Sequence, residues 1–458
     1  MPFSSEYKWS GCEFENSGSY VFGAPEFLLG DREDKWNIGD WAAKGYRVLL
    51  LAQYGGPLAP GKLDPEKLEP LALALLTGKL RPNAKETFAY FAQQGVTVKV
   101  ISGDSPLTVS SVAQRAGIPG AERYIDTSAL ETDEDFSHAV SENTVFGRVT
   151  PEKKRRLVAA LQKQGHTVAM TGDGVNDAPA VKSADIGVAM GITGTEVTKQ
   201  SAKMILADDN FSTIVAAVRE GRVIFDNIRK FLRYLLSSNV GEVFTVFLGV
   251  VFAGFLGIRQ PETVGVTVPL LATQLLWINL LTDAAPALAM GVDPQTDDVM
   301  GRKPRKVTDR VIDASMWGDI IYIGVIMAIV TLIGMDMHLS GGLFTDRSVD
   351  AIGHEAQMTE ARTMGFTILV FAQLFNALSS RSHLQSAFVG LFSNKWLWGA
   401  IGLSVALQLV VIYVPFLNGP FGTVALSPMA WVECICLAAI VLIASELRKI
   451  VLRAMAKR

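Results

Sequence analysis

Three acidic side chains in the first half of the chain follow runs of residues that are typical of buried strands. Asp104 comes directly after TVKVISG, and Asp173 and Asp177 lie in the string TGDGVNDAP, directly after HTVAM. Two carboxylates in one glycine-rich turn repel each other unless a divalent cation lies beside them, and Mg²⁺ typically uses one or two carboxylates. Lys154, at the start of an amphipathic stretch, is placed to reach a phosphoryl group. These residues predict a Mg²⁺ site at the turn.

A second group of polar side chains lies inside long apolar runs of the second half. Asn239 and Glu242 are three residues apart, and Asn279, Thr282 and Asp283 also share one face of a helix. An ionisable residue inside a membrane is costly unless it is paired, hydrated or bound to an ion. Carboxylates, amides and hydroxyls together form an all-oxygen cage, which suits a hard cation such as Ca²⁺.

The same carboxylates admit a structural interpretation. Glu242 and Asp283 would then lie near the membrane interface or hydrogen-bond other helices. Pro286 favours the cation site, because a proline frees backbone carbonyls and loosens the helix just after Asp283. Gln373, in a later apolar run, is a further neutral oxygen donor.

The apolar runs are long enough to predict membrane crossings. Hydrophobic residues make up 49% of the chain, and they concentrate after Phe231. A helix needs roughly 20 apolar residues to cross the bilayer core. Six runs qualify or nearly do: Leu235–Ile258, Leu270–Val292, Ser315–Met337, Phe366–Ser380, Leu397–Phe416 and Pro428–Leu447. The sequence therefore predicts an all-α transmembrane domain of six helices, with the lipid bilayer as its partner.

The distribution of Lys and Arg predicts the orientation of these spans. Both residue types concentrate in the loop 301–310 and in the tail 448–458, and the loop after the fourth span carries Arg381 and Lys395. The loops at the opposite ends of the spans are poor in both. Because cytoplasmic loops carry an excess of Lys and Arg, we expect the soluble region and the C-terminus to be cytoplasmic.

The first half alternates strand-like and helical patterns. The runs 97–103, 166–170 and 184–190 are typical of buried strands and are separated by amphipathic stretches. This alternation predicts an α/β domain with a parallel sheet and crossover helices. Ligands in such sheets bind at the carboxyl ends of the strands, where the three aspartates fall.

Charge and cysteine content argue against other classes of protein. The net charge of −3 argues against a nucleic-acid partner, because neutralising phosphates needs a basic surface. Three cysteines are too few for a disulfide framework. The first residues, MPFSSEYKWSGCEFE, have no apolar core like that of a signal peptide, so we expect the membrane signals to be internal.

The motifs resemble those of a known family. TGDGVNDAPAVKSADIGVAMG is similar to the hinge motif of P-type ATPases, whose phosphorylation domain has the haloacid dehalogenase fold, and the resemblance covers essentially the whole chain. ISGD resembles the family's TGD turn, with Ser102 in place of Thr. RVTPEKK resembles the segment whose lysine contacts the phosphoryl group. The resemblance implies catalytic roles for Lys154, Asp104, Asn176 and Asp177, a nucleotide contact at Gly103, and Mg²⁺ at Asp173 and Asp177.

Other segments resemble nucleotide-contacting parts of the family. Phe3 and Lys8 lie in a segment similar to the one where an aromatic ring stacks on adenine. Arg47, in GYRVLLLA, matches a second nucleotide contact, and Arg81, in LRPNA, matches an arginine at the boundary between two domains. The family has a lysine before Gly-Ala-Pro-Glu, where this chain has Phe22, and this change should weaken or alter contacts with ATP. The resemblance implies ATP and Mg²⁺ as cofactors.

The membrane motifs resemble those of calcium pumps. SSNVGE and WINLLTDAAPALAMG are similar to the fifth and sixth helices of these pumps, with Asn239, Glu242, Asn279, Thr282 and Asp283 at ion-site positions. FNALSSRS resembles the eighth helix. Two-site calcium pumps carry a glutamate there, and this sequence has Gln373. The resemblance is therefore to plasma-membrane and secretory-pathway pumps, and it implies one ion per cycle and location in the plasma membrane.

The resemblance divides the chain into three domains. Residues 1–78 correspond to the C-terminal part of a nucleotide-binding domain, 79–231 to a haloacid-dehalogenase-like phosphorylation domain without its first strand and nucleophile, and 232–458 to helices five to ten of the family. No DKTGT and no TGE motif occurs in the sequence, so the phosphorylated aspartate is missing. We therefore expect ATPase activity only together with an N-terminal half.

Three functions remain open from the sequence. The first is the C-terminal half of an ATP-driven pump that exports Ca²⁺ from the cytosol. The second is a pump for another cation, Mn²⁺ or Na⁺, since Mn²⁺ takes ligands similar to those of Ca²⁺. The third is a non-catalytic membrane remnant that binds ATP or a cation without turnover.

Overall fold

The computed structural model divides into two compact units, Met1–Ala217 and Val218–Arg458. It describes residues 1–3, 6–30, 36–61, 63–258, 267–296, 298–302, 305, 309–340, 342–344 and 353–456. The predicted basic loop at 301–310 therefore lies partly outside the described residues. Because residues 212–251 form one continuous helix, the backbone has no break at the predicted boundary between 231 and 232.

The first unit begins with a four-stranded antiparallel sheet. Its elements are β1 (Trp9–Phe14), β2 (Gly18–Gly23), α1 (Pro25–Leu28), α2 (Ile38–Ala43), β3 (Arg47–Tyr54) and β4 (Leu68–Leu76). The strands lie in chain order, β1-β2-β3-β4. Val21 and Leu50 are fully buried and pack with Trp9 and Leu28 in one apolar cluster, because alternate residues of a strand point to the same face.

The rest of the first unit alternates strands and helices, as predicted. Its elements are α3 (Ala84–Gln93), β5 (Val100–Ile101), α4 (Pro106–Arg115), β6 (Tyr124–Asp126), α5 (Asp133–Glu142), β7 (Val145–Gly147), α6 (Pro151–Lys163), β8 (Ala169–Gly172), α7 (Ala178–Ser183), β9 (Ile186–Met190), α8 (Glu196–Ser201) and β10 (Met204–Leu206). The described strands form two parallel sheets, β5-β7-β6 and β10-β9-β8. The α/β class is confirmed, but the single predicted sheet is present as two.

The second unit is built from helices. They are α9 (Ser212–Val251), α10 (Ala272–Trp277), α11 (Ala284–Gly291), α12 (Ala314–Asp336), α13 (His354–Ser379), α14 (Lys395–Tyr413), α15 (Pro415–Phe421) and α16 (Pro428–Ala456). Five of the described helices, α9, α12, α13, α14 and α16, are long and apolar enough to cross a membrane. Buried residues of α13, such as Phe366 and Val370, lie in the largest apolar cluster together with residues of α12, α14 and α16.

The second predicted span is interrupted at the candidate cation residues. Between α10 and α11, the residues Ile278–Thr282 form a π-helical turn. Pro286 accounts for the break, because a proline has no N–H to bond the carbonyl four residues earlier. That carbonyl, of Thr282, accepts a hydrogen bond from Ser404 Oγ at 2.9 Å. A sixth crossing, formed by this broken segment, stays a prediction.

Candidate functional site

Lys154 and Asp177 meet at the carboxyl end of β8. Thr150 caps α6, so Lys154 lies in the first turn of that helix, and its Nζ donates to Asp177 Oδ1 at 2.5 Å. The other carboxylate oxygen of Asp177 accepts from the backbone N–H groups of Asp173 and Gly174, both at 3.3 Å. Both oxygens of Asp177 are thus engaged, and the carboxylate holds the turn closed around its own backbone.

The close packing of this turn depends on a glycine. A Cβ atom at Gly172 would lie 2.4 Å from the Cβ of Asp177, which is shorter than any real contact between such atoms. Only a residue without a side chain fits there. The glycine at this position is therefore explained by local packing, because it lets the end of β8 approach Asp177, which braces the turn.

Asp173 presents its carboxylate outward from the same turn. The residue is exposed, and its carbonyl accepts a hydrogen bond from the Thr195 N–H at 2.8 Å. Asn176 is also exposed. Among the described residues, no group of three or more His, Cys, Asp or Glu side chains could hold a metal ion. Asp173 and Asp177, the two predicted Mg²⁺ residues, thus lie in one turn, and only Asp173 is exposed.

Asp104 lies in a second turn, at the carboxyl end of β5. Its N–H donates to Ser102 Oγ at 3.2 Å, and its carbonyl accepts from the Arg148 N–H at 2.8 Å. Arg47 Nη1 lies 3.6 Å from Asp104 Oδ1. The structure therefore brings one predicted nucleotide contact, Arg47, next to the turn that contains Gly103 and Asp104.

The other predicted nucleotide residues occupy separate positions in the first unit. Phe3 is 62% exposed, which leaves its ring free to stack, and Lys8 precedes β1 with a positive φ of 58°. Arg81 Nη1 donates to the carbonyl of Asp209. The backbone N–H of Ile192, with the N–H and hydroxyl of Thr193, holds the pKa of Asp209 at about 2. Arg81 thus contacts the backbone of Asp209, whose carboxylate is held by Ile192 and Thr193.

Glu242 lies at the centre of the polar residues in the second unit. Its Oε2 accepts a hydrogen bond from Asn279 Nδ2 at 2.5 Å, and its Oε1 accepts from Gln373 Nε2 at 2.9 Å. Glu242 is 6% exposed, and Gln373 is fully buried. Three predicted cation residues, from α9, from the π-helical turn and from α13, are therefore in direct contact.

Asp283 follows the π-helical turn and is buried. Its Oδ1 accepts a hydrogen bond from the Tyr234 hydroxyl at 2.9 Å. Its Oδ2 and Gln373 Oε1 are both buried, and neither has a hydrogen-bond partner among the described residues. Buried polar atoms are nearly always hydrogen-bonded, so such exceptions need an explanation. Two buried oxygens without a hydrogen-bond partner in the described part of the chain are consistent with a cation ligand set.

The remaining predicted cation residues have different surroundings. Thr282 is buried, and its Oγ1 bonds the Ile278 carbonyl at 3.2 Å, within its own turn. Asn239 is half-buried on α9, one turn before Glu242. π-Helical turns inside helices occur frequently at functional sites. The one at 278–282 presents Asn279 to Glu242 and places Asp283 at the start of α11.

Two family models match the chain. One, described as haloacid dehalogenase-like hydrolase, covers residues 23–185, and the other, described as Cation transporting ATPase, C-terminus, covers residues 267–451. The chain is 38% identical to a calcium-transporting ATPase of Bacillus subtilis over 81% of its own length and 39% of that relative. It is 36% identical to calcium-transporting ATPase 1 of Schizosaccharomyces pombe over 98% of the chain and 50% of the relative. The chain belongs to the P-type cation-transporting ATPases and matches their C-terminal portion.

A mouse relative extends the same similarity to animals. Calcium-transporting ATPase type 2C member 1 of Mus musculus is 37% identical over 93% of the chain and 43% of the relative. The chain thus spans 39% to 50% of the length of these three relatives. The predicted family is confirmed.

Sequence reasoning missed Tyr234, the hydrogen-bond donor to Asp283. Tyr234 is fully buried and packs with Ala287 and Met290 of α11. A signal was present, because Tyr234 and Glu242 are eight residues apart on α9, which places them on one face of a helix. An aromatic residue at the edge of an apolar run is ordinarily part of the core, so the sequence alone gave no reason to assign its hydroxyl a role.

We predict that Tyr234→Phe weakens cation binding by the complete ATPase without removing it. The substitution keeps the buried ring and deletes only the hydroxyl that fixes Asp283 Oδ1. Loss of a hydrogen bond to a charged group costs about 1.5–3 kcal/mol, or roughly ten- to hundredfold in affinity. The measurement is the cation concentration that half-saturates ATPase activity. Tyr322→Phe, on α12, is the matched control, because its hydroxyl bonds the Ala444 carbonyl.

Proposed function

We propose that this chain is the transporting and phosphate-handling portion of an ATP-driven pump that exports Ca²⁺ from the cytosol. The observation that carries the proposal is the cluster of Glu242, Asn279 and Gln373, together with a buried Asp283 oxygen that has no hydrogen-bond partner among the residues the structure describes. All of these groups are oxygen-bearing, and Ca²⁺ takes six to eight oxygen ligands.

The donor set suits a cation that enters and leaves. The amide nitrogens of Asn279 and Gln373 now donate to Glu242, so rotation of either amide would present an oxygen in their place. Two carboxylates, of Glu242 and Asp283, would neutralise one divalent ion. The neutral Gln373 in α13 limits the charge of the site and supports one Ca²⁺ per cycle. Asn239 and Thr282 would complete the coordination from their own helices.

The first unit would handle the phosphoryl group. Lys154 would contact the transferring phosphoryl oxygens, and Asp177 and Asn176 would hold the turn in shape, since phosphoryl transfer depends mainly on positioning and charge neutralisation. Asp104 and Gly103 would form the opposite wall of the pocket. Mg²⁺ bound at Asp173, with Asp177 behind it, would neutralise charge that develops on the phosphate.

ATP would lie against the antiparallel sheet of the first unit. Phe3 is exposed enough to stack on the adenine ring, and Lys8 and Arg47 are cations on the same part of the chain. Arg47 also lies beside Asp104, so it could bridge the nucleotide and the phosphoryl pocket. Arg81, bonded to Asp209, would order the boundary of the α/β part.

The edges of the two parallel sheets support the proposal that a partner segment supplies the nucleophile, the aspartate that is phosphorylated. Among the described strands, β5 pairs only with β7 and β8 pairs only with β9. Ile101 of β5 packs against the apolar cluster that contains Met170 of β8, so the two edges face the same region. A parallel strand carrying DKTGT, from a segment outside these 458 residues, would fit between them and place its aspartate near Asp104 and Lys154.

The helices and the charges support the proposed location in a membrane. The five apolar helices support an integral membrane protein. The basic residues of the tail, such as Arg448 and Lys449, support a cytoplasmic C-terminus. We place the pump in the plasma membrane, with the first unit in the cytoplasm.

Metal competition tests the identity of the cation. In the full-length pump, ATPase activity should rise with micromolar Ca²⁺, and Mn²⁺ should compete at the same site. Activation by Na⁺ alone would favour the alternative cation. Failure to incorporate phosphate from ATP under all of these conditions would favour the non-catalytic remnant.

A further inference from the structure

A buried charged cluster lies just after α11, apart from the residues assigned above. Asp293 is 2% exposed, and its carboxylate contacts Lys230 Nζ at 2.7 Å and Arg381 Nε at 3.0 Å. The side chains of these two cations are only 7% and 4% exposed. Asn394 Nδ2 donates a further hydrogen bond to the same carboxylate at 2.9 Å. Removing charges from water is costly, so stability alone is a weak explanation for such a cluster.

The cluster ties together four parts of the second unit. Lys230 lies on α9, Asp293 follows α11, Arg381 follows α13, and Asn394 is the N-cap of α14. The backbone is held as well, because Asn227 Nδ2 donates to the Asp293 carbonyl at 2.8 Å. The position of Asp293 relative to α9 is thus set both by its side chain and by its main chain.

Two of the parts joined by the cluster carry the carboxylates of the cation site. Glu242 lies on α9, twelve residues after Lys230, and Asp283 precedes Asp293 by ten residues in the broken segment. At about 1.5 Å of rise per residue, the cluster lies roughly 15–18 Å along the helices from the site. The π-helical turn and Pro286 interrupt the regular helical backbone hydrogen bonds near Asp283. These hydrogen bonds alone therefore do not fix the position of Asp283 relative to α9.

We infer that Asp293, with Lys230 and Arg381, is a positioning cluster that sets the register between α9 and α11 and thereby the affinity for the transported cation. None of the three touches the cation site. The carboxylate separates two buried cations, so its removal would leave Lys230 and Arg381 to repel each other and would displace α11. This inference rests on the proposed function.

The test measures cation affinity in the full-length pump. We expect Asp293→Asn to raise the Ca²⁺ concentration that half-saturates phosphorylation by on the order of five- to hundredfold, the range of a coupling between distant sites. Lys230→Arg keeps the charge and should remain near the unsubstituted value. Arg229→Gln is the matched control, because Arg229 is the adjacent residue on α9 and pairs with Asp313 at 2.5 Å, outside the cluster.

A merely structural role would lower the amount of folded pump and leave this affinity unchanged, so the amount in membranes is measured alongside. Normal accumulation of Asp293→Asn with an unchanged half-saturating Ca²⁺ concentration would overturn the inference. If that variant fails to accumulate, Lys230→Gln, which leaves Asp293 paired with Arg381, decides by the same criterion. Absence of Ca²⁺-dependent phosphorylation in the unsubstituted pump would instead overturn the proposed function.

Discussion

Asp283→Asn in the full-length pump is expected to abolish Ca²⁺-dependent phosphorylation from ATP. Asp283 is buried, and one of its carboxylate oxygens has no hydrogen-bond partner among the described residues. The amide keeps the shape of the side chain and removes one of two charges that face a divalent ion. Breaking a buried charge pair costs about 3–5 kcal/mol, which is roughly a hundred- to several-thousandfold in affinity.

The measurement is acid-stable phosphate incorporation over a series of Ca²⁺ concentrations. Glu433→Gln is the matched control, because it makes the same acid-to-amide change on α16, where the carboxylate pairs with His338 at 2.9 Å. Phosphorylation of the control should keep its ordinary Ca²⁺ dependence. An unchanged Ca²⁺ dependence in Asp283→Asn would place the cation site elsewhere in the protein.

Lys154→Met is expected to slow phosphorylation at saturating ATP and Ca²⁺. The ammonium group lies 2.5 Å from Asp177 Oδ1 and is largely buried, so its removal leaves the carboxylates of the turn without their cation. Loss of one preorganised group that stabilises developing charge typically costs about 10²–10³ in rate. The measurement is the rate of phosphate incorporation in a rapid-quench experiment.

Lys153→Met is the control for this substitution. Lys153 is the adjacent residue on α6, and its Nζ donates to the carbonyls of Thr127 and Ser128 rather than to the turn. This variant should phosphorylate at nearly the unsubstituted rate. Equal losses in the two variants would mean that α6 matters as a structural element and that Lys154 has no special contact.

The sequence was most informative where a residue conflicts with its surroundings. Glu242 and Asp283 stand out because charges are rare in apolar runs, and the structure brings both to buried positions with polar neighbours. The string TGDGVNDAP stands out because glycines and aspartates end a strand there. Its tight turn, braced by Asp177, is present as a local unit.

Contacts between distant parts of the chain could not be predicted in the same way. The hydrogen bond from Tyr234 to Asp283 depends on how α9 packs against α11, and no local pattern encodes that packing. The same holds for Asp293 and Lys230, since charged residues at the end of an apolar run are equally compatible with solvent exposure. The π-helical turn also depends on tertiary contact, because Ser404 bonds the carbonyl that Pro286 leaves free.

The division of the parallel strands into two sheets has a comparable cause. Strands such as β5 and β8 can be recognised by their apolar runs, but their pairing depends on which strands are available in the chain. A sequence pattern can indicate that a strand is buried, but it does not indicate which strand pairs with it. That β5 and β8 each pair with a single strand, among the described strands, therefore became evident only in the structure.

The most direct test of Ca²⁺ export is simultaneous measurement of Ca²⁺ uptake and ATP hydrolysis in inside-out vesicles that contain the full-length pump. We expect ATP-dependent accumulation of Ca²⁺ with close to one ion transported for each ATP hydrolysed, and loss of both activities in Asp283→Asn. ATP hydrolysis that does not depend on Ca²⁺, or Ca²⁺ uptake that persists in Asp283→Asn, would contradict it.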